Sequence, residues 1–180
     1  RLLDQGYRRL SFIGDVGYAQ TNADRYKGFL DAHRSRGLTP CKDLCLTGPF
    51  GLYTHYEEIS RFLDSLPLLP DGYVCASDYI AHYIQQYYDD RGLQRDGAVP
   101  LTGFDNNTEY ANVANRITTV DTQTPTIGAR LASRILFRLS HPDPAGELPS
   151  SSPRVAERKK QNPQTPPGFL CPYRMPGGSF

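Results

Sequence analysis

Short apolar runs alternate with longer segments of helical spacing along the first part of the chain. The apolar runs predict strands at residues 10–14, 72–76, 99–104 and 117–120, with a weaker strand at 43–47. In the first three intervening segments, apolar side chains recur every three to four residues, as on the buried face of a helix. This alternation predicts right-handed crossovers and an α/β fold, specifically a three-layer, doubly wound parallel sheet.

Residues that favour helix starts mark the beginnings of these helices. Thr21 or Asn22 can cap the first one. Thr54, followed by Glu57, matches a capping box at the start of the second. Ser77 is a suitable N-cap for the third. A further helical pattern follows the last strand and ends near residue 140.

The sequence changes character at His141. Residues 141–180 hold most of the 15 prolines and show little periodicity. Proline-rich polar sequence buries too little apolar surface to offset the entropy lost on ordering. We therefore expect a poorly ordered tail, in which only residues 154–158 depart from this behaviour.

The composition narrows the classes of function. Charged residues make up 22% and hydrophobic residues 38%, and the net charge of +1 gives no basic surface that would drive nucleic-acid binding. No apolar run approaches the ~20 residues that span a bilayer, so no membrane partner is expected. The four cysteines show no CxxC spacing, which argues against zinc, and neither a metal nor a cofactor is expected.

Polar side chains follow the predicted strands at the edge where ligands usually bind. Asp15, Ser77, Asp78 and Asp105 come directly after three strands. In open α/β sheets, ligands lie at the carboxyl ends of the strands, where the strand order reverses. Such a row of groups suits a small polar ligand, and Arg25 could reach it from the following helix.

The two strongest candidates also have ordinary structural interpretations. Asp105 can accept hydrogen bonds from two ligand hydroxyls, or it can simply form a turn before Asn106. Arg25 can donate a fork of hydrogen bonds to ligand oxygens, or it can pair in solvent with Asp24 or Asp31. The position of Asp105 at a strand end favours its ligand role.

The remaining candidates are weaker. Ser77 can serve only as an N-cap, and Asp78 suits the positive end of the same helix dipole. Sugar rings pack on aromatic side chains, and Tyr18 and Tyr79 are preferred because they lie in or just after strand-end loops. The aromatic side chains near this edge are Tyr18, Phe50, Tyr53, Tyr79 and Phe104.

No catalytic constellation is present in the sequence, and we expect no enzymatic activity. There is no serine in a GxSxG elbow. The histidines at positions 33, 55 and 82 lie on predicted helices without a nucleophile at a telling position. Residues 14–17 lack the Gly-Lys-Ser pattern of a phosphate-binding loop.

Several stretches carry a family pattern when they are taken in order. They are LDQGYRRLSFIG at residues 3–14, RYKGF at 25–29, DGYVCASDYIA at 71–81, GFDN at 103–106 and ITTV at 117–120. Together they resemble the effector-binding core of the lac repressor family of bacterial transcription regulators. Tyr7 stands where that family usually has histidine, and Ser77 stands where it has asparagine.

The resemblance implies a core of two lobes, like those of periplasmic binding proteins, that close on a small ligand, often a sugar or a purine. Residues 10–121 would form the C-terminal lobe, and residues 1–9 and 122–140 would be partial segments of the N-terminal lobe. The chain would be the ligand-sensing part of a cytoplasmic homodimer. It would reach its DNA operator only through a helix-turn-helix that it lacks.

The resemblance also bears on the site residues. Arg25 and Asp105 match ligand contacts of the family. Serine at position 77 is shorter than the family's asparagine and loses a donor, and Thr122 stands where many sugar-responsive members have a longer polar residue. Both differences leave the identity of the effector open.

Two other classes of protein remain open. An extracytoplasmic sugar-binding protein of a transporter has the same lobe architecture, and its gene would begin with a secretory signal rather than a helix-turn-helix. An enzyme on a flavodoxin-like sheet is a more distant alternative, which turnover of a sugar or nucleotide would reveal.

Overall fold

The computed structural model describes residues 1–93 and 99–141, together with the backbone of Arg154–Ala156. Within these residues, five strands form one sheet in the order β1-β2-β3-β4-β5. The strands are β1 (Leu10–Ile13), β2 (Gly72–Cys75), β3 (Leu101–Phe104), β4 (Thr118–Asp121) and β5 (Arg154–Ala156). The helices are α1 (Gln20–Arg34), α2 (His55–Ser65), α3 (Asp78–Asp90) and α4 (Thr124–Ser140).

Strands β1 to β4 run parallel, which confirms the predicted α/β fold. On its free side, β1 makes a parallel bridge between Ile13 and Leu46. The chain thus passes to one side of β1 and then returns to its other side, which is the order reversal of a doubly wound sheet. The strand predicted at 43–47 is reduced to this bridge, because Lys42–Leu44 forms a 3₁₀ turn.

Apolar side chains cover both faces of the sheet. On one face, Phe12 packs against α1, with its ring centroid 5.0 Å from that of Tyr26 and 5.9 Å from that of Phe29. On the other face, Ile13 belongs to the core that α2 and α3 cover, which includes Ile84. Neighbouring residues of β1 therefore point to opposite faces, and helices on both sides give the three layers.

The first helix begins without the predicted cap. α1 starts at Gln20 after Ala19, and no side chain caps it. Neither Thr21 nor Asn22 is therefore an N-cap. Asn22 instead donates its side-chain amide to the carbonyl oxygen of Asp15 at 2.8 Å, which ties the helix to the loop before it.

Of the caps predicted for α2 and α3, only the one at the start of α3 forms. Thr54 precedes α2, but its hydroxyl donates to Glu58 rather than pairing with Glu57, so the predicted capping box does not form. Ser77 does cap α3, because its Oγ accepts from the backbone N–H of Ile80 at 3.4 Å.

The first residues of the chain, which are predicted to belong to the other lobe, pack against β1 and α1. Leu2, Leu3 and Tyr7 are each buried. They share a core cluster with Phe12 of β1 and Phe29 of α1. The segment before β1 therefore contributes to the core on this face of the sheet.

Helix α4 differs from the other helices because none of its side chains is buried. Its apolar side chains lie open to solvent over most of its length. They are Ile127, Leu131, Ile135, Leu136, Phe137 and Leu139. A helix with this much exposed apolar surface needs a partner to cover it.

Most of the proline-rich tail lies outside the described residues, so its predicted poor order is untested. The segment expected to depart from that behaviour contains β5, which pairs antiparallel with β4 in the register Val120–Val155. Among the helices of the described part of the chain, none is long and apolar enough to cross a membrane.

Candidate functional site

Three strand ends and one helix meet at the carboxyl edge of the sheet. β1, β2 and β3 end at Ile13, Cys75 and Phe104, so the loops that follow them lie side by side. Arg25 reaches this edge from α1, and its Nη1 donates to the carbonyl oxygen of Ala76 at 2.6 Å. The structure therefore places Arg25 over the strand ends.

The two solvent partners considered for Arg25 are engaged elsewhere. Asp31 forms ion pairs with two other basic side chains of α1. Asp24 accepts a hydrogen bond from Gln20. Arg25 is thus directed toward the sheet edge rather than toward neighbours on its own helix.

Three groups hold the Arg25 guanidinium. Besides its bond to Ala76, Nη1 contacts Oδ1 of Asn22 at 3.4 Å, and Cζ lies 3.5 Å from the centroid of the Phe104 ring. Partial burial lowers the pKa of Arg25, and the charge of Asp105 opposes this by raising it. An arginine stays protonated at neutral pH in spite of such a shift, so a fixed positive charge stands at the edge.

Asp105 follows β3 in a conformation that side chains rarely adopt. Its φ is 99°, and that of Asn106 is 54°. The backbone N–H of Asp105 donates to the carbonyl oxygen of Val120 at 2.9 Å, which fixes the turn to β4. Positive φ in residues other than glycine costs about 1–3 kcal/mol and clusters at functional sites. The Asp105 side chain is exposed, so its carboxylate can accept hydrogen bonds from a ligand.

The structure places Asp78, a predicted ligand contact, inside the protein. Its Oδ1 accepts from the hydroxyl of Thr119 at 2.7 Å, and its Oδ2 accepts from the backbone N–H of Asn107 at 2.8 Å. Thr119 Oγ1 in turn accepts from the N–H of Asn106 at 3.2 Å. Asp78 therefore supports the turn that carries Asp105, and with 2% exposure it offers no open acceptor to a ligand.

Burial raises the pKa of Asp78, and this predicts a dependence of stability on pH. Because the folded-state pKa exceeds the unfolded value of about 4, the contribution of Asp78 to stability is fully present below that value. It is lost as the pH rises through the folded-state pKa. We expect wild type to lose stability relative to Asp78→Asn over this range, as measured by urea unfolding at a series of pH values.

The asparagine variant is the matched reference, because other carboxylates titrate equally in both proteins. A difference in unfolding free energy that stays constant with pH would contradict the raised pKa. A difference that moves the opposite way would mean that the hydrogen bonds from Thr119 and Asn107 outweigh the effect of burial.

The other predicted contacts at this edge use their polar groups within the protein. Asp15 Oδ1 accepts from backbone N–H groups of its own loop at 2.7 and 3.1 Å. The Ser77 hydroxyl caps α3, and the Thr122 hydroxyl contacts that of Thr124 at 2.8 Å. Tyr18 is 82% exposed. Of these side chains, only that of Tyr18 lies mainly in solvent.

Tyr79 belongs to an aromatic cluster formed with α2 and the loop after β3. Its ring centroid lies 4.8 Å from that of Tyr83, 5.3 Å from that of His55 and 5.6 Å from that of Tyr110. Its hydroxyl also accepts a hydrogen bond from Tyr83, and burial raises the pKa of Tyr83 to about 12. The Tyr79 ring is therefore engaged by other aromatic side chains.

Sequence reasoning missed Thr119 and gave Asn22 the wrong role. Thr119 is a buried polar residue in a β-branched run, and a buried hydroxyl needs a partner. This requirement could have indicated that the Thr119 hydroxyl pairs with a buried acceptor, which is Asp78. Nothing in the sequence indicates that Asn22 contacts Arg25, because the contact depends on how α1 lies over the strand ends.

The comparison with family models identifies the chain's fold family. A model described as a periplasmic binding protein-like domain matches residues 1–159. The chain is 26% identical over 158 residues to the HTH-type transcriptional repressor PurR of Glaesserella parasuis, covering 87% of this chain and 45% of that protein. It is 31% identical over 140 residues to the HTH-type transcriptional regulator RegA of Clostridium saccharobutylicum, covering 77% of this chain and 41% of that protein. The chain thus spans less than half the length of these relatives.

Solved structures show the same fold. A LacI family transcriptional regulator from Enterococcus faecium with bound ribose superposes with a TM-score of 0.69 at 18% identity, covering 87% of this chain and 57% of that one. A complex of the transcriptional regulator CelR with cellobiose superposes with a TM-score of 0.67 at 21% identity, covering 88% of this chain and 48% of that one. The chain therefore belongs to the periplasmic binding protein-like family, and its relatives there are transcriptional regulators of the PurR and LacI type.

Proposed function

We propose that the chain is the ligand-sensing lobe of a cytoplasmic transcription regulator, and that it binds a sugar or related polyol between two lobes. One observation carries this proposal: the Arg25 guanidinium lies over the carboxyl edge of the sheet, bonded to Ala76 and stacked on Phe104, next to the exposed carboxylate of Asp105. This edge is where open α/β sheets bind ligands.

The chemistry of the pair favours neighbouring hydroxyl groups. An ionised carboxylate accepts two hydrogen bonds, and a guanidinium donates a planar fork. A sugar presents hydroxyls that both donate and accept, so the same two oxygens can bridge Asp105 and Arg25. Two structural neighbours are complexes with cellobiose and with ribose, which supports the sugar class without selecting a sugar.

A second lobe completes the proposed cleft. The apolar side chains of α4, which include Leu131 at 59% and Leu139 at 76% exposure, would be covered by that lobe. This agrees with the prediction that residues 122–140 belong to it. Ligand would bind the closed arrangement of the two lobes more tightly than the open one, and this difference in affinity would shift the population toward the closed state.

The lobe movement would be read out by DNA-binding modules. Helix-turn-helix proteins commonly bind as dimers to two half-sites, so the proposal includes a homodimer whose spacing responds to ligand. The coupling between effector and operator affinity is reciprocal. Operator DNA should therefore change the affinity for effector by the same factor by which effector changes the affinity for operator DNA.

The function is tested by titration calorimetry on the full-length gene product. A panel of sugars that includes D-ribose and cellobiose would be tested for binding, and Arg25→Gln should weaken the affinity about tenfold, because it removes a charged donor. Arg34→Gln is the matched control, since Arg34 lies on the same helix in an exposed ion pair. Equal affinities of the two variants, or no binding by any sugar, would reject the proposal.

We also predict that the chain by itself does not bind DNA specifically. Its net charge of +1 makes even the non-specific electrostatic attraction small. In a gel-shift assay with operator DNA, the full-length protein should shift the band and this chain should not. Tight binding by the chain that persists as salt is raised would contradict its assignment as a sensing lobe.

A further inference from the structure

The last residue of β3 lies directly beneath the predicted ligand-binding arginine. Cζ of Arg25 is 3.5 Å from the centroid of the Phe104 ring, within the range of a cation–π interaction. Phe104 is half-buried and immediately precedes Asp105. One face of this ring is therefore occupied by the guanidinium and is not open to a sugar.

The guanidinium is fixed on one edge and open on the other. Nη1 donates to Ala76 at 2.6 Å and contacts Asn22 at 3.4 Å. Within the described part of the chain, Nε and Nη2 have no hydrogen-bond partner. Nε–H and one N–H of Nη2 form the parallel pair that binds oxygen atoms bidentately.

We propose that Phe104 is a positioning residue, whose ring holds the plane of the Arg25 guanidinium so that its Nε–Nη2 edge faces the ligand. The inference rests on the proposed function of the site. The hydrogen bonds of Nη1 to Ala76 and Asn22 hold one corner of the guanidinium and leave its plane free to tilt. Contact with the face of the Phe104 ring restricts this movement, because the guanidinium keeps the contact only while its plane stays close to the ring.

The ring also acts through its charge distribution. The negative face of an aromatic ring attracts a cation, whereas an aliphatic side chain of similar size does not. Phe104→Leu should therefore release the guanidinium while keeping apolar volume at the position. Phe104→Tyr keeps the aromatic face and should preserve the arrangement.

The first test needs no sugar. The full-length protein is treated with phenylglyoxal, which modifies accessible guanidinium groups, and the rate at Arg25 is followed by mass spectrometry. We expect Phe104→Leu to raise this rate several-fold and Phe104→Tyr to leave it unchanged. Arg34 in the same samples reports any general change, and circular dichroism checks that each variant is folded. Equal rates at Arg25 in wild type and Phe104→Leu would overturn the proposal.

The second test is a double-mutant cycle with D-ribose and cellobiose as probes. Phe104→Leu should weaken binding about threefold to tenfold when Arg25 is present, which is the size expected for loss of a cation–π contact. It should cause no further loss in the Arg25→Gln background. Equal losses in both backgrounds would show that Phe104 acts independently of Arg25, and the proposal would fail. If neither sugar binds, the proposed function fails for these sugars, and the modification rates alone decide the role of Phe104.

Discussion

Replacing Asp105 with glycine should weaken sugar binding about tenfold to hundredfold and at the same time stabilise the fold. The loss follows from removing a charged acceptor, which costs about 1.5–3 kcal/mol. The gain follows from the φ of 99° at this position. Glycine adopts positive φ without strain, so we expect an increase of about 1 kcal/mol in the free energy of unfolding.

The measurement combines calorimetric titration with urea unfolding of the full-length protein. Asn115→Gly is the matched control, because Asn115 also has a positive φ, of 60°, in the segment before β4. That variant should keep its affinity for sugar and gain less stability, because asparagine tolerates a φ of 60° with little strain. If Asp105→Gly binds sugar as well as wild type, Asp105 is only a turn residue. If it is less stable than wild type, the backbone strain at this turn has been misjudged.

Local sequence patterns were sufficient for the elements that bury one continuous apolar face. The run at residues 72–76 and the Ser77 cap predicted β2 and the start of α3, because a buried strand and an N-cap are both defined by a few neighbouring residues. The order of strands and helices then restricted the fold to a parallel α/β sheet. The family of the chain followed from several such motifs in order.

Local patterns failed where tertiary contacts decide the outcome. Residues 43–47 carry strand-like side chains, but within the described residues only Leu46 forms a bridge with β1. Leu2 and Leu3, in the segment predicted to belong to the other lobe, share a core cluster with Phe29 of α1. No local spacing distinguishes a segment that leaves the domain from one that folds back onto it.

At the candidate site, too, the positions of residues could be predicted from the sequence, but side-chain directions set by distant contacts could not. The position of Asp105 at a strand end and that of Arg25 early in the helix after β1 could be predicted, because strand ends and helix starts are visible in the sequence. The direction of the Asp78 side chain could not, since it depends on Thr119 and Asn107, which are distant in sequence. Asp78 at the first turn of a helix looks the same whether it faces a ligand or the protein interior.

The buried carboxylate of Asp78 also restricts which residue can occupy position 103 on β3. A Cβ added at Gly103 would lie 2.0 Å from Oδ1 of Asp78. A hydrogen-bonded carboxylate held by Thr119 cannot move away without losing its partners. Gly103→Ala should therefore displace Asp78 and lower the free energy of unfolding by about 1–3 kcal/mol, the range for overpacking a buried site.

Gly28→Ala is the control for this substitution, because it adds the same methyl group where nothing lies within 4 Å. Gly28 is inside α1, so alanine should stabilise the protein by up to about 1 kcal/mol through its helix propensity. Urea unfolding of the two variants should therefore give changes of opposite sign. Because Asp78 supports the Asp105 turn, Gly103→Ala should also weaken sugar binding, even though position 103 presents no group to the ligand. A variant that loses stability but binds sugar normally would show that Asp105 keeps its position without Asp78, and the support assigned to the buried carboxylate would be wrong.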